Sequence, residues 1–365
     1  MTLLSRYLVR QNLFLIVVIL LISTGLYVLT DMFERLDNFL ESEIGVSTML
    51  LFFLMKIPTI ISMTLPAVFM IAVVVQMNVL ERSRELIALM AGGISPTALV
   101  RFVILYGLVW AVAQFTFAQV IGVTGERMAN RIWLEEVRGK ILEEAKIAGL
   151  WFTEKNHILH IDMTWPLQNR GEGLQVYTLD ETGVGIREII KAKRFTVRSG
   201  GWQLEEGEVL NPAEYSSTPF DSLELPVQQD MRAFQVSASS SGVKPQQLSL
   251  AELSETIARL EHAGSNVENL LTAWHGKLAY AASIVIMGLL ALLVSRYTTN
   301  VYKAIVISML IVFFYYGVNT ICVSMGERGI VSPFIGAWFA DLFFFFLGLL
   351  WVLWPSLRTR MQQRV

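Results

Sequence analysis

Six long runs of apolar residues constrain the fold of this chain more than any other feature of its sequence. They cover residues 12–30, 47–78, 102–124, 272–295, 304–325 and 330–354. A bilayer core about 30 Å thick requires about 20 apolar helical residues, because hydrocarbon offers no partner to backbone amides and carbonyls. The second run contains Lys56, Pro58 and Pro66, so we place its spanning part at residues 57–80. The sequence therefore predicts a membrane α-helical bundle with six transmembrane helices.

The composition agrees with a chain that is embedded in lipid. Of its 365 residues, 54% are hydrophobic and only 16% are charged, and the mean hydropathy is +0.52. A net charge of -2 provides no concentrated basic surface, which argues against a nucleic-acid partner. The only cysteine, Cys322, cannot form an internal disulfide. The first run is too long for a cleaved signal peptide, so we expect it to remain as a helix.

Lysine and arginine are distributed unevenly over the short connections between the runs. One side has only Arg35 and Arg328, and its first connection is acidic. The other side has ten basic residues, namely Arg6, Arg10, Arg82, Arg84, Arg101, Arg296, Lys303, Arg358, Arg360 and Arg364. Because positive charge stays on the cytoplasmic side, we predict that both termini and residues 81–101 are cytoplasmic. Residues 126–271 then lie on the outer side of the membrane.

This outer insertion has the pattern of a β domain. Short segments with alternating apolar residues are separated by turn residues such as those at 169–171, 181–183 and 199–201. The segments cover residues 157–163, 174–179, 188–197, 202–206 and 223–225. The spacing predicts an all-β sandwich or barrel. The chain then divides into residues 1–125 with three membrane helices, 126–271 with the β domain, and 272–365 with three more membrane helices.

A linker and a helix are predicted between the β domain and the fourth membrane helix. Residues 237–242 are rich in serine, which is typical of a flexible linker. Ser249 and Glu252 have the spacing of a capping box, and they precede a helix with Leu253, Ile257 and Leu260 on one face. We expect this helix to end at Gly264.

Few residues have the spacing that catalysis or metal binding requires. His157 and His160 are three apart on a predicted strand, so their side chains point to opposite faces. The pairs Gly139-Lys140 and Gly276-Lys277 lack the upstream glycine and the following Ser or Thr of a phosphate-binding loop. We therefore expect no metal, no cofactor and no catalytic residues in this chain, which is predicted not to hydrolyse ATP by itself.

Asp341 is the acidic residue of the sixth apolar run. A charge at membrane depth usually faces the protein interior or water, and it often marks a proton pathway. Asp341 fits a proton relay or a hydrogen bond that joins packed helices. The packing role is favoured, because no neighbouring run supplies a second acid or a histidine.

The cytoplasmic segment 81–96 is the most informative short stretch of the sequence. It begins with charged residues and ends at a double glycine, and between them Leu86, Leu89 and Met90 form a small apolar stripe on a helix. Such a helix can lie on the membrane as a spacer, or it can dock into the groove of a cytoplasmic partner. The pattern alone favours neither role.

Several short motifs, taken in order, resemble one known family. They are residues 6–10 (Arg-Tyr-Leu-Val-Arg), Arg84-Glu85-Leu86 through Ser95, residues 125–129, Gly149-Leu150-Trp151 and residues 326–329. Together with the six-helix plan and the inserted β domain, they resemble the lipopolysaccharide-export permease family, LptF and LptG, over the whole chain. The opening motif is similar to LptF, whereas residues 149–152 and 248–293 are more similar to LptG. These motifs do not decide between the two paralogues, and LptG is slightly favoured.

The resemblance implies a permease subunit of an ABC transporter in the bacterial inner membrane. Such a subunit pairs with its paralogue and sits on a dimer of cytoplasmic ATPase subunits, and its first and fifth helices line a cavity for lipopolysaccharide. The β domain is expected to be a periplasmic jellyroll that continues into a jellyroll bridge protein. The segment 81–91 corresponds to the family's coupling helix. Its ATPase-coupling residues are expected to be Arg84, Glu85, Leu86, Leu89 and Met90.

Four arginines are candidates for binding the anionic head group of the lipid. Arg127, Arg131 and Arg138 follow the third helix, where a basic rim suits a phosphorylated lipid. Arg35 is the cation near the outer end of the first helix, where this sequence has acidic residues instead of the family's basic one. Ordinary anchoring at the membrane interface explains the same arginines equally well.

Two other classes of function compete with lipid export. A membrane-anchored sensor would bind a ligand through its outer domain, but the largest inner loop, about 20 residues long, leaves no room for an output domain. A lone secondary transporter or membrane enzyme would need more intramembrane charges than this sequence has.

Overall fold

The computed structural model describes residues 3–42, 44–139, 147–154, 156–180, 185–198, 201–226, 244–262 and 266–362. The chain divides into two compact units. The membrane unit comprises Met1–Glu41, Gly45–Ala129 and Leu271–Val365, and the β unit comprises Ser42–Ile44 and Asn130–Leu270. The predicted linker at 237–242 lies outside the described residues.

The membrane unit is helical, as the apolar runs predict. Its helices are α1 (Leu3–Glu41), α2 (Val46–Arg82), α3 (Glu85–Ala91), α4 (Pro96–Phe117), α5 (Val123–Arg131), α7 (Glu268–Tyr297), α8 (Val301–Glu327) and α9 (Pro333–Gln362). Among the described residues, five stretches are long and apolar enough to cross a membrane: α1, α2, the continuous Thr97–Val137, α7 and α8. The sixth run lies in α9, whose described apolar part is Pro333–Leu349. The predicted helical membrane bundle is confirmed.

The third span is wound irregularly. A π-helical turn at Ala118–Gly122 joins α4 to α5, and a second one follows at Ile132–Val137. The hydroxyl of Thr59 on α2 donates to the carbonyl of Gly122 at 3.3 Å. A Cβ atom at Gly125 would overlap the carbonyl oxygen of Met55. Glycine is therefore required at 125 for this span to lie against α2.

Pro66 interrupts the backbone hydrogen bonding of α2, and side chains of neighbouring helices donate to the carbonyls in the turn before it. Because proline has no N–H, the Ser62 carbonyl has no helical donor, and the side-chain amide of Gln114 donates to it at 3.4 Å. The next carbonyl, that of Met63, accepts the hydroxyls of Tyr280 and Tyr316. Polar side chains from α4, α7 and α8 thus donate to the carbonyls of α2 in the turn before Pro66, as lipid-embedded backbone requires.

The core of the membrane unit is built from α2 and α7. The α2 side chains Phe69, Met70 and Val73 are fully buried, and so are Ile284 and Met287 of α7. Side chains buried in this way contact protein on all sides, so packing contacts rather than hydropathy hold these two helices at the centre.

The β unit contains one six-stranded antiparallel sheet in which each strand pairs with the next, in the order β1-β2-β3-β4-β5-β6. The strands are β1 (Ile147–Glu154), β2 (His157–Trp165), β3 (Arg170–Leu179), β4 (Ile186–Arg198), β5 (Gly201–Asn211) and β6 (Ser216–Leu225). The predicted β insertion is confirmed, and five strands extend the predicted segments. β1 is an additional strand, and the described strands form a meander.

One face of the sheet carries the core of the β unit. Leu159, Leu174 and Val176 are buried on it, and the rings of Phe195 and Trp202 stack with centroids 4.9 Å apart. Burial of these apolar side chains fixes the register, because a slip by one residue would turn them to the opposite face.

The helix α6 (Leu250–His262) begins at the predicted capping box. The carboxylate of Glu252 accepts from the backbone N–H of Ser249 at 2.7 Å and from its hydroxyl at 2.8 Å. Leu253 and Leu260 are buried, as the predicted apolar face requires. Gly264, the predicted end, lies outside the described residues.

Candidate functional site

The helix α3 is set between two sharp changes of backbone direction. Before it, Arg84 has a left-handed conformation with φ of 63°, and the N–H of Ser83 still bonds to the Val79 carbonyl at 2.9 Å. After it, Gly93 has φ of 86°, and the N–H of Ile94 donates to the Leu89 carbonyl at 3.1 Å. The double glycine thus ends the helix by a left-handed cap, as the sequence predicts.

The structure divides the predicted apolar stripe of α3 between two sides of the helix. Leu86 is half-buried and packs against the hydrophobic core of the membrane unit. Met90 is exposed, and Ile87, which the sequence reasoning did not select, is 62% exposed. Leu89 is half-buried beside a cavity of about 420 Å³ that is lined by Leu4, Tyr7, Glu85, Ala88 and Leu89. A seven-residue helix has only two turns, so its sequence does not determine which side faces the protein.

Glu85 is hydrogen-bonded within the chain. The hydroxyl of Tyr7, on the first turns of α1, donates to the Glu85 carboxylate at 2.9 Å. Next to it, the Leu8 carbonyl accepts from the side-chain amide of Gln76 at 2.8 Å, and Gln76 also accepts from Asn12 at 2.9 Å. The opening motif therefore places α1 against both α2 and α3.

A cluster of three charges lies near the other end of α1. The Nε atom of Arg35 is 3.0 Å from Asp31, and the Nζ atom of Lys56 is 2.7 Å from each of the two Asp31 carboxylate oxygens. Both cations also lie 5.6 Å from the centre of the Phe52 ring. Asp31 is buried, and its carboxylate contacts both Lys56 and Arg35. Lys56 is therefore a second cation beside Arg35 and a head-group candidate, although the sequence analysis used it only to place the spanning part of the second run.

The other three arginine candidates follow the third span. Arg127 is exposed and belongs to the membrane unit. Arg131 and Arg138 belong to the β unit, where Arg131 is bound to Glu135 at 2.8 Å and Arg138 lies over the Trp133 ring at 5.5 Å. The contact of Arg131 with Glu135 is between side chains four residues apart on one helix, which is typical of a surface pair.

Asp341 takes part in a buried polar contact between α8 and α9. It accepts a hydrogen bond of 2.7 Å from the hydroxyl of Tyr315. Both residues are almost fully buried. Among the described residues, no group of three His, Cys, Asp or Glu side chains has the arrangement of a metal site. The contact of Asp341 joins two packed helices.

Comparison with protein families identifies the chain. The family model described as lipopolysaccharide export system permease LptF/LptG matches residues 6–354. The chain belongs to this family. No curated protein sequence matches it significantly. The family model covers both paralogues, so the choice between F and G stays a prediction.

The family assignment explains why the chain has so many long apolar helices. A lipopolysaccharide export permease is a multi-pass membrane protein, in agreement with the five candidate spans and the apolar α9. The α3 segment and the charge cluster lie within the matched residues. The functions of individual residues there stay predictions.

Proposed function

We propose that this permease is a non-catalytic transmembrane subunit of an ABC transporter. It extracts lipopolysaccharide from the bacterial inner membrane and passes it to a periplasmic bridge protein. In this proposal it pairs with a paralogous permease, and a dimer of cytoplasmic ATPase subunits supplies the energy. The family match to a lipopolysaccharide export permease is the observation that carries the proposal.

The exposed side of α3 supports the proposed contact with an ATPase. Arg84, Ile87 and Met90 are exposed on a short helix between two membrane spans. The basic residues of the adjoining connections predict that this helix is cytoplasmic. Exposed apolar anchors on a helix suit a groove of a partner protein. The chain itself has no phosphate-binding loop, so an ATP-driven cycle would need such a partner.

The exposed apolar faces of α1 and α8 support a role in handling lipid. In the most apolar stretch of each of these two helices, only 11% of the residues are buried within the chain. In α2 and α7 the buried share is 67%. A surface of this kind faces acyl chains or a second permease subunit. In the proposed heterodimer, α1 and α8 line the lipid cavity, and α8 is the fifth membrane helix.

The cluster at Asp31 supports recognition of an anionic head group. Lys56 and Arg35 provide charge-assisted donors, which are well suited to phosphate oxygens. Asp31 holds both cations, so a phosphate would compete with this carboxylate for them. Arg127, Arg131 and Arg138 are further head-group candidates in this proposal, and the role of the last two depends on the proposed periplasmic position of the β unit.

Co-expression tests the proposal. We expect the permease, its paralogue and an ATPase to purify together in mild detergent, and native mass spectrometry to show a permease pair on an ATPase dimer with retained lipid. Changing both Ile87 and Met90 to glutamate should abolish co-purification of the ATPase. Tyr302→Glu is the matched control, because Tyr302 is 79% exposed on another predicted cytoplasmic connection.

Two results would contradict the proposal. One is lipid release from proteoliposomes that proceeds without ATP and follows a proton gradient, since this would indicate a secondary transporter. The other is thiol labelling of an Ile87→Cys variant from the outer side of the membrane, in a background without Cys322. That result would place α3 on the side opposite to any ATPase.

A further inference from the structure

We propose that Tyr7 is a positioning residue of the permease, which holds Glu85 and ties α3 to the first membrane helix. The proposal rests on the proposed function, since it assumes that a partner displaces α3. It adds Tyr7, from the opening motif at residues 6–10, to the residues through which movement of α3 would reach the membrane helices. Its central observation is the hydrogen bond of 2.9 Å between the Tyr7 hydroxyl and Glu85 Oε2.

The hydrogen bond is the direct polar link between α3 and α1. Among the described residues, it is the side-chain hydrogen bond by which α3 is joined to another helix. The cavity of about 420 Å³ between Leu4, Tyr7 and Leu89 shows that apolar packing between these two helices is incomplete. Removal of the hydroxyl therefore leaves α3 attached to α1 by few contacts, while Leu86 still packs on the core.

Next to Tyr7, α1 is hydrogen-bonded to α2. Leu8 is fully buried, and its carbonyl accepts from Gln76 on α2. Asn12, one turn further along, donates to the same glutamine. The end of α1 that carries Tyr7 is thus bound to α2 through side-chain amides. A force applied at Tyr7 acts on a helix that is joined to α2 here and again at Asp31.

Because α1 is continuous, a force applied at Tyr7 can act on residues at the other end of the helix. The helix runs without interruption from Leu3 to Glu41. Asp31 lies 24 residues beyond Tyr7, which corresponds to about 36 Å along a helix axis. Between these positions one face of α1 packs within the chain, with Asn12, Ile16 and Thr24 buried, while Leu21 and Ile22 are exposed on the other face. In the proposal, a displacement of α3 reaches the cluster of Asp31 and Lys56 through this one continuous helix.

Glu85 can serve Tyr7 and a partner at the same time. The hydrogen bond to Tyr7 uses Oε2. The other oxygen, Oε1, remains for a cation or an N–H group of a partner. Two roles of Glu85 are thereby separable by mutation: the acceptor function toward Tyr7, which an amide oxygen retains, and the negative charge, which an amide loses.

The test compares Tyr7→Phe with Glu85→Gln in the complete complex in proteoliposomes. Tyr7→Phe should leave ATPase co-purification and ATP hydrolysis within twofold of the wild type. Lipid released per ATP hydrolysed should fall about two- to tenfold, the range that one net hydrogen bond contributes to an equilibrium. Glu85→Gln keeps an acceptor for the Tyr7 hydroxyl and loses only the charge, so a loss of release in this variant is assigned to the contact with the partner. Tyr302→Phe, at an exposed tyrosine, is the matched control.

The proposal is wrong if Tyr7→Phe releases lipid per ATP as efficiently as the wild type. It is also wrong if Glu85→Gln abolishes release while Tyr7→Phe does not, because the charge would then act on the partner without Tyr7. If no ATPase co-purifies with the wild-type chain, the proposed function fails, and the tether is tested separately.

A measurement on the permease without an ATPase provides this separate test. Spin labels at Leu21→Cys on α1 and Ile87→Cys on α3, in a Cys322→Ser background, report the distance between the two helices. Both positions are exposed. We expect Tyr7→Phe to broaden the distance distribution, and Glu85→Gln and Tyr302→Phe to leave it unchanged. An unchanged distribution in Tyr7→Phe would overturn the proposed tether.

Discussion

The helices α1 and α8 differ from α2 and α7 in how the chain surrounds them. α1 contains the most hydrophobic stretch of the five candidate spans, yet only 11% of the residues in that stretch are buried. The same share is buried in α8. In α2 and α7 the buried share is 67%. Hydropathy therefore predicts which segments enter the membrane, but it does not predict which of them form the centre of the bundle.

Small and polar residues lie at buried positions in both kinds of helix. In α2 the side chains of Gln76 and Asn78 are buried, and in α7 those of Ser283 and Ser295 are buried. Association of helices in lipid depends on close packing and on hydrogen bonds, because burying apolar surface brings no gain over acyl chains. The exposed helices follow the same rule locally. The buried residues of α8 are Ala304, Ser308, Tyr315 and Gly326.

Replacing a phenylalanine in each class of helix should give the largest contrast. Phe69 of α2 is fully buried, whereas Phe313 of α8 is 80% exposed. We expect Phe69→Ala to lower the free energy of unfolding by about 3–5 kcal/mol, because a cavity remains. Phe313→Ala should change it by about 0.5 kcal/mol or less. Denaturation by SDS in mixed micelles measures both. Equal losses would show that α8 is covered within the chain.

Two glycines give the next contrast. At Gly125 a Cβ atom would overlap the Met55 carbonyl, whereas at Gly317 of α8 it would meet no atom within 4 Å. Gly125→Ala should therefore cost about 1–3 kcal/mol by overpacking. Gly317→Ala should be neutral or stabilise the helix by about 0.5–1 kcal/mol. The same denaturation assay applies, and a stabilising Gly125→Ala would contradict the close approach of the third span to α2.

Removal of one buried hydroxyl tests the polar side of α8. Tyr315→Phe takes away the donor that reaches Asp341 at 2.7 Å. Measured hydrogen bonds between membrane helices average about 0.6 kcal/mol and reach about 1.7 kcal/mol. We expect a loss near the upper value, because the carboxylate stays buried. Tyr302→Phe on the same helix should have no effect. A loss no larger than that of the control would mean that Asp341 does not depend on Tyr315.

Local sequence signals predicted much of this fold. The apolar runs located the membrane helices, alternation located five of the six described strands, and Ser249 with Glu252 located the start of α6. The first strand was missed because Trp151 and Phe152 are adjacent and apolar, which hides the alternation. The helix α1 is longer than its apolar run, since no glycine or proline interrupts its charged ends.

The candidate site was less predictable because its contacts join residues far apart in sequence. Pro66 was visible inside the second run, but nothing in the neighbouring sequence indicated that Gln114 would donate to the Ser62 carbonyl. Likewise, Tyr7 and Glu85 are separated by 78 positions. Lys56 was visible as a charge in an apolar run. Its pairing with Asp31 could have been anticipated by searching the neighbouring span for an acid.

Arg35 should give the smallest effect and the sharpest test of how α1 is held to α2. Its contact with Asp31 is between residues four apart on α1, whereas Lys56 reaches Asp31 from α2. Arg35→Gln should lower the free energy of unfolding by about 0.5 kcal/mol or less, because the side chain is partly exposed and Lys56 still pairs with Asp31. Lys56→Gln should cost more, since it removes the link between the helices. If Arg35→Gln costs as much as Lys56→Gln in the same assay, the ion pair within α1 rather than the link to α2 stabilises this end of the helix.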